Sequence, residues 1–212
     1  MSRSRKPTAL LVFGENDNDR EVLCQLVRAL RPDTSARLEK RRDPVIVTKN
    51  RDQAKLKKQA NTFAAQVKRD SVRFDVKAIL IHEDCDAVEP AHEPLARQIE
   101  AEHGTKAVPV IAATPAWETE AWLFLWPDAA PMHVKSWARP ARRGKRVGLI
   151  VNAKEEYRQA VRPAGGKTTR PYEESDAPKI VEKARIAELI DKPDARSDSY
   201  ERFRARLMTA AL

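Results

Sequence analysis

The stretch "VKAILIHEDCDAVEP", residues 76–90, places a cluster of acids at the end of an apolar run. The run at 76–81 predicts a buried β-strand, and Glu83, Asp84 and Asp86 follow directly after it. Carboxylates this close together repel one another and resist transfer out of water. In a chain of 212 residues with a net charge of +9, such a cluster indicates a local need for negative charge.

Further apolar strands and helices surround this stretch. "TALLVFG" (8–14) and "AVPVIAA" (107–113) predict two more buried strands, and a short strand is predicted at 45–48. Strands that alternate with helices through short connections predict an α/β fold with a mostly parallel sheet flanked by helices. The helices of this region are predicted at 15–30, 51–70, 93–104 and 115–126.

The pattern changes after Asp128, where prolines and glycines divide the chain. Residues 133–170 carry eleven Lys and Arg against two acids. We therefore predict an α/β core at 1–128 and a basic, mainly helical C-terminal extension at 129–212, packed on the core. Its two closing helices are predicted near 177–190 and 197–209.

The composition is that of a globular protein, with 42% hydrophobic and 33% charged residues. Two cysteines do not make a disulfide framework. No apolar run approaches the roughly 20 residues of a membrane span, and the apolar run at 8–14 is too short for a signal peptide. These features predict a soluble, cytoplasmic protein without a membrane partner.

Acids follow all three buried strands. Glu15 follows the first, Asp84 and Asp86 follow the second, and Glu118 and Glu120 follow the third. The carboxyl ends of neighbouring parallel strands share one edge of the sheet, so these side chains should converge. One cluster alone would be a helix cap or a solvated turn, but three that converge predict an oxygen-ligand site for Mg²⁺ or Mn²⁺.

Three segments carry a family resemblance: "LLVFGENDNDREVLCQLV", "AILIHEDCDAVEP" and "PVIAATPAWETEAWLFLWPD". Together they resemble the Toprim fold, and in particular the small Toprim-like proteins related to OLD-type nucleases of bacterial defence loci. The resemblance spans roughly residues 8–128. It places Glu15 on the family's catalytic Glu, Asp84 and Asp86 on its Asp-x-Asp metal pair, and Glu120 on its acidic helix.

The resemblance implies an enzyme, a nuclease that cleaves phosphodiester bonds with Mg²⁺ or Mn²⁺. Glu15, Asp84, Asp86 and Glu120 would be its catalytic and metal-binding residues, with Glu15 as general base or ligand to a second metal. The family's glycine after the Glu is Asn16 here, and Asn tolerates a left-handed turn better than other non-glycine residues. An ATPase partner protein in anti-phage defence is also implied, and homo-oligomerisation stays open.

The basic stretch "ARRGKR" is our candidate for nucleic-acid contact. A solvated loop would have the same composition, but a phosphodiester substrate makes these side chains the obvious grip on the backbone. No phosphate-binding loop of the G-x-x-x-x-G-K-[ST] type occurs, so ATP hydrolysis by that route is not expected. The nucleic-acid-binding residues are predicted to be Arg142, Arg143, Lys145 and Arg146.

Other notable residues have simpler interpretations. Asp17 and Asp19 are expected to cap a helix, and Glu83 to face solvent. Glu118 lies about 200° from Glu120 around an ideal helix, so it is kept in reserve unless that helix starts late. The remaining candidates fall into three groups: surface or capped histidines His82, His92 and His103; core tryptophans Trp117, Trp122 and Trp126; and candidate catalytic lysines Lys145, Lys167 and Lys179.

Two alternative functions stay open at this stage. A catalytically silent Toprim-like module could bind nucleic acid or a partner protein with the same fold. A primase-like or phosphatase-like enzyme could use the same carboxylates on another substrate. The sequence does not choose between DNA, RNA and tRNA.

Overall fold

The computed structural model describes residues 6–41, 53–104, 108–163 and 170–212. It has a four-stranded sheet in the order β2-β1-β3-β4, and all three strand pairs are parallel. The predicted α/β class, with a parallel sheet flanked by helices and a basic helical C-terminal part, is confirmed. The strands are β1 Thr8–Phe13, β2 Arg37–Arg41, β3 Asp75–His82 and β4 Val110–Ala113.

Eight α-helices are assigned in the described ranges, and two 3-10 turns at Val147–Leu149 and Glu174–Asp176 accompany them. Among the described residues, no helix is both long and apolar enough to cross a membrane. The helices are α1 Asp17–Leu30, α2 Gln53–Arg73, α3 His92–His103, α4 Glu120–Leu123, α5 Ala129–His133, α6 Ala153–Ala160, α7 Ala177–Ile186 and α8 Asp198–Thr209.

The two faces of the sheet bury two separate apolar clusters. Side chains alternate along β1, so Leu10 and Val12 pack with α1 and the C-terminal helices, whereas Leu11 and Phe13 pack on the other face. The second cluster is closed by α2 and α3, with Phe63 of α2 in ring contact with Phe13. Because β1, β3 and β4 are covered on both faces, they are continuous apolar runs.

The C-terminal helices share a core with the N-terminal part. Helix α7 packs along α1, and Trp122 stacks on Phe203 of α8 with ring centroids 5.6 Å apart. Trp122 and Trp126 are buried core residues, as the sequence indicates, but Trp117 is only half-buried. The division of the chain at residue 128 stays a prediction.

Buried Glu89 ties the loop after β3 to the start of α8. Its Oε1 accepts hydrogen bonds from the Ser197 hydroxyl and the Ser199 backbone N–H, each at 2.8 Å. Its backbone N–H donates to the carbonyl of Gly148 at 2.9 Å. Three distant segments therefore meet at one buried carboxylate.

The structure differs from the sequence prediction in three places. The helix predicted from Pro115 begins only at Glu120, because Trp117 has a φ of +61° and its backbone N–H donates to Ala87 instead. The helical spacing of Phe63, Ala64 and Val67 predicts that these side chains face inward, but Ala64 is exposed. Strand β2 is not predicted from sequence, and the strand predicted at 45–48 lies outside the described residues, so it stays a prediction.

Candidate acidic pocket

The chain leaves β1 and enters α1 through a capping box centred on Asn16. The Asn16 side chain accepts hydrogen bonds from the N–H groups of Asn18 and Asp19, and the Asp19 carboxylate accepts one from the Asn16 N–H. Asn16 has a φ of −135°, so the left-handed turn considered from sequence is wrong. Asp19 closes the cap as predicted, while Asp17 is exposed and pairs with Lys40.

Strand-like pairing continues for three residues past β3, as far as Cys85. The N–H groups of Glu83 and Cys85 donate to the carbonyls of Ala113 and Pro115, each at 3.1 Å. Successive side chains therefore alternate, so Asp84 points to one side and Glu83 to the other. Glu83 is buried, at 1% exposure, so the expectation that it faces solvent is wrong.

Asp86 breaks this alternation. Its φ is +51°, and its side chain is exposed. Asp84 is instead held toward β4, because its Oδ1 accepts a hydrogen bond from the Thr119 N–H at 3.1 Å. The two aspartates of the Asp-x-Asp sequence therefore do not point into one site.

The late start of α4 brings both of its candidate glutamates to the same place. Glu120 is buried at 4% exposure and accepts a hydrogen bond from the Tyr172 hydroxyl at 2.8 Å. Glu118, just before the helix, accepts one from the Lys154 N–H at 3.0 Å. The sequence keeps Glu118 as a candidate ligand only if this helix starts late. The helix does start late, so Glu118 and Glu120 can face the same cavity.

These groups line one cavity of about 190 Å³, here called the acidic pocket. Three of the four predicted site carboxylates, Glu15, Asp84 and Glu120, lie there, and Asp86 is not among the described lining residues. Six carboxylates and one lysine stand in the described lining: Glu15, Asp19, Asp84, Glu118, Glu120 and Glu174, with Lys154; Asn16, Asn18, Thr119 and Ala177 complete it.

The carboxylates of the acidic pocket disturb one another. Burial raises the pKa of Asp84 well above its usual value, and the nearby charges of Asp19, Glu120, Glu15 and Glu118 raise it further. Burial also raises the pKa of Glu120 to about 7, against the lowering effect of the Tyr172 hydrogen bond. A bound cation would relieve this repulsion.

The raised pKa of Glu120 gives a stability prediction for the metal-free protein. A carboxyl whose pKa is higher in the folded state stabilises the fold at low pH, and this contribution is lost as pH rises from 4.5 to about 7. Relative to Glu120→Gln, the wild type should lose on the order of 3 kcal/mol of unfolding free energy across this range. Urea unfolding in EDTA at several pH values measures the difference.

The same comparison with Glu174→Gln provides a control, because Glu174 lies on the exposed rim of the acidic pocket. If the unfolding free energies of the wild type and Glu120→Gln changed with pH in parallel, the burial of the Glu120 carboxyl would be contradicted.

His82 lies behind three lining residues of the acidic pocket, Thr119, Asp19 and Asp84. Its side chain is fully buried, and its Nε2 lies 2.7 Å from the Thr119 hydroxyl. His92 and His103 are also buried, so the surface alternative is wrong for all three histidines. For His82 the signal was available, since the apolar run before it continues the strand to its position.

Lys154 is the pocket residue that sequence reasoning missed. Its Nζ donates to Glu174 at 2.8 Å and lies 3.9 Å from Glu118. Of the lysines considered from sequence, Lys145 and Lys179 are exposed and are not among the described pocket residues, while Lys167 lies outside the described residues. No sequence spacing links Lys154 to the acids, because the contact depends on how α6 packs.

The "ARRGKR" stretch lies in the loop before α6. Arg142 places its guanidinium over the Phe124 ring, 5.1 Å from the centroid, and Arg146 pairs with Asp198. Arg143 and Lys145 are exposed and have no ion-pair partner in the part of the chain that the structure describes. Their role in nucleic-acid contact stays a prediction.

The donor set of the acidic pocket fits a hard cation such as Mg²⁺, since it consists of carboxylate oxygens around a half-buried Asp84 that the neighbouring carboxylates repel. His82 adds a buried Nδ1 without a hydrogen-bond partner among the described residues. The carboxylates line the same cavity but do not converge on a single metal position. Across the described ranges, no group of three or more His, Cys, Asp or Glu forms a site that could hold a metal ion as it stands.

Comparison with known proteins adds no relative to this picture. No protein-family model, curated protein or solved structure matches the chain. The Toprim resemblance therefore rests on the three quoted segments, and functional conclusions rest on the chemistry of the acidic pocket.

Proposed function

We propose that this protein is a divalent-metal-dependent nuclease whose site is the acidic pocket. One observation carries the proposal: carboxylates from the ends of three neighbouring strands, β1, β3 and β4, line a single cavity and raise the pKa of Asp84 there. Excess negative charge in a partly buried cavity needs a cation, and phosphoryl-transfer enzymes use carboxylate-held Mg²⁺ or Mn²⁺.

The residues proposed to hold the metal are Glu15, Asp84 and Glu120, with Glu118 available once it leaves Lys154. When bound, the ion would neutralise the phosphate and orient the attacking water. The Thr119 N–H fixes the Asp84 carboxylate, and Tyr172 fixes that of Glu120. Asp86 is left out of this set because it is not among the described lining residues of the acidic pocket.

Lys154 is proposed to bind a phosphate oxygen of the substrate. It is the one cation among the described lining residues, and its present partner, Glu174, is an exposed side chain that an anion could displace. Exposed Arg143 and Lys145 would add non-specific contacts to the phosphate backbone. The net charge of +9 is consistent with a polyanionic substrate.

The Toprim resemblance extends the proposal to a role in bacterial anti-phage defence with an ATPase partner, in the cytoplasm. A catalytically silent binding module is the main alternative, because the family's glycine is replaced by Asn16. The cap formed by Asn16 leaves Glu15 in the pocket lining, which favours a working site. A primase-like or phosphatase-like enzyme would share the metal but not the cutting of nucleic acid.

The test is incubation of purified protein with supercoiled plasmid, linear DNA and tRNA, in Mg²⁺, in Mn²⁺ and in EDTA. We expect cleavage of at least one substrate that requires the metal and stops in EDTA. Binding of nucleic acid without cleavage, together with no measurable Mn²⁺ binding, would favour the silent module. Mn²⁺ binding with phosphatase activity on a small phosphate ester, but without cleavage of nucleic acid, would favour the primase-like or phosphatase-like enzyme.

A further inference from the structure

His82 contacts groups from all three strand ends that build the acidic pocket. Its Nε2 lies 2.7 Å from Thr119 Oγ1 and 3.7 Å from Asp84 Oδ1, and its Nδ1 lies 3.8 Å from Asp19 Oδ2. The side chain has no exposed surface. One buried imidazole thus joins α1, β3 and the segment before α4.

Thr119 is the second member of this arrangement. Its backbone N–H donates to Asp84 Oδ1 at 3.1 Å, and its hydroxyl lies 3.5 Å from Asp19 Oδ1. Thr119 therefore restrains Asp84 through its N–H, and His82 restrains Thr119 through the 2.7 Å contact between its Nε2 and the Thr119 hydroxyl. An apolar side chain would fill the position of His82 without leaving its Nδ1 unsatisfied, so packing alone does not explain a histidine there.

The line Thr119–His82–Asp19 has the order of a nucleophile, a base and an orienting acid. Two features argue against that use. The 3.8 Å between His82 Nδ1 and Asp19 Oδ2 is too long for a hydrogen bond. An alkoxide on Thr119 would also form beside the Asp84 carboxylate, where a second negative charge is repelled.

We infer that His82 and Thr119 are positioning residues, which hold Asp84 in the orientation needed to bind a divalent cation. This inference rests on the proposed metal-dependent function. Hydrogen-bonded partners behind metal ligands typically change metal affinity by about 10–100-fold when they are removed. Thr119 occupies that place behind Asp84, and His82 holds Thr119.

The test measures Mn²⁺ binding in the absence of nucleic acid. Two methods report the binding: calorimetry and the electron paramagnetic resonance signal of free Mn²⁺. His82→Leu and Thr119→Val each remove the hydrogen bond between the imidazole and the Thr119 hydroxyl, which fixes the segment whose N–H holds Asp84, and should weaken Mn²⁺ binding by about 10–100-fold. His82→Gln and Thr119→Ser retain a polar group and should stay within roughly threefold of the wild type. His92→Leu, which removes a buried imidazole outside the pocket, should bind Mn²⁺ like the wild type.

Thermal unfolding in EDTA identifies any variant that does not fold, and Thr119→Val decides the question if His82→Leu fails. If the wild type binds Mn²⁺ and folded His82→Leu and Thr119→Val bind it equally well, the positioning role is overturned while the metal site stands. If the wild type binds no Mn²⁺, the metal-dependent function falls as well. Equal losses of Mn²⁺ affinity in the polar and apolar variants would also overturn the positioning role, since they would indicate altered packing.

Discussion

Replacement of Asp84 with asparagine should abolish metal-dependent cleavage and stabilise the metal-free protein. Asparagine keeps the shape of the side chain and the acceptor for the Thr119 N–H, but it removes the charge that burial and four neighbouring carboxylates destabilise. Loss of a metal ligand removes several kcal/mol of transition-state stabilisation, which corresponds to about a thousandfold in rate.

Two measurements on the same preparations check this prediction: the rate of plasmid cleavage in Mn²⁺ and the unfolding midpoint in EDTA. The matched control is Asp86→Asn, because Asp86 is exposed and asparagine accepts its positive φ of 51°. We expect Asp86→Asn to cut at nearly the wild-type rate. Equal loss of cleavage in both variants would restore the Asp-x-Asp pair and contradict the separation of the two aspartates.

Gly148→Ala should cause a large loss of stability. A Cβ at this position would lie 1.9 Å from the Glu89 carboxyl carbon and 2.1 and 2.4 Å from its two oxygens. Glu89 is buried and held by Ser197 and Ser199, so it cannot move aside without breaking those hydrogen bonds. We expect a loss of about 2–4 kcal/mol of unfolding free energy.

For a chain of this size, that loss lowers the unfolding midpoint by roughly 6–12 °C. Differential scanning calorimetry measures it, with Gly144→Asn as the control in the same loop. Gly144 has a φ of +67° and open space around its missing Cβ, and asparagine tolerates that backbone. An unchanged midpoint in Gly148→Ala would mean that Glu89 is not packed against this glycine.

The parts of the structure that could be predicted from sequence depend on local patterns. Continuous apolar runs indicated β1, β3 and β4, and the rule that parallel strands place their ends together indicated that Glu15, Asp84 and Glu120 would converge. Both inferences need only the order of residues within short segments. The buried histidine at the end of β3 could have been inferred in the same way.

The remaining parts depend on contacts between distant segments. Lys154 and Tyr172 reach the acidic pocket because the C-terminal helices pack on the N-terminal core, and no spacing in the chain encodes that packing. Asp86 leaves the pocket through its positive φ, which follows from a backbone hydrogen bond to Trp117 thirty-one residues later. Resemblance to a motif of two aspartates could not anticipate that bond.

The mixed origin of the acidic pocket also bears on the order of events during synthesis. Glu15, Asp84 and Glu120 leave the ribosome early, but Lys154, Glu174 and the Tyr172 hydroxyl that holds Glu120 arrive late. A growing chain therefore carries an incomplete pocket until the residues from Lys154 to Glu174 have emerged from the ribosome and docked. An enzyme that attacks nucleic acid would thus lack its full site while those residues are still inside the RNA-rich ribosome.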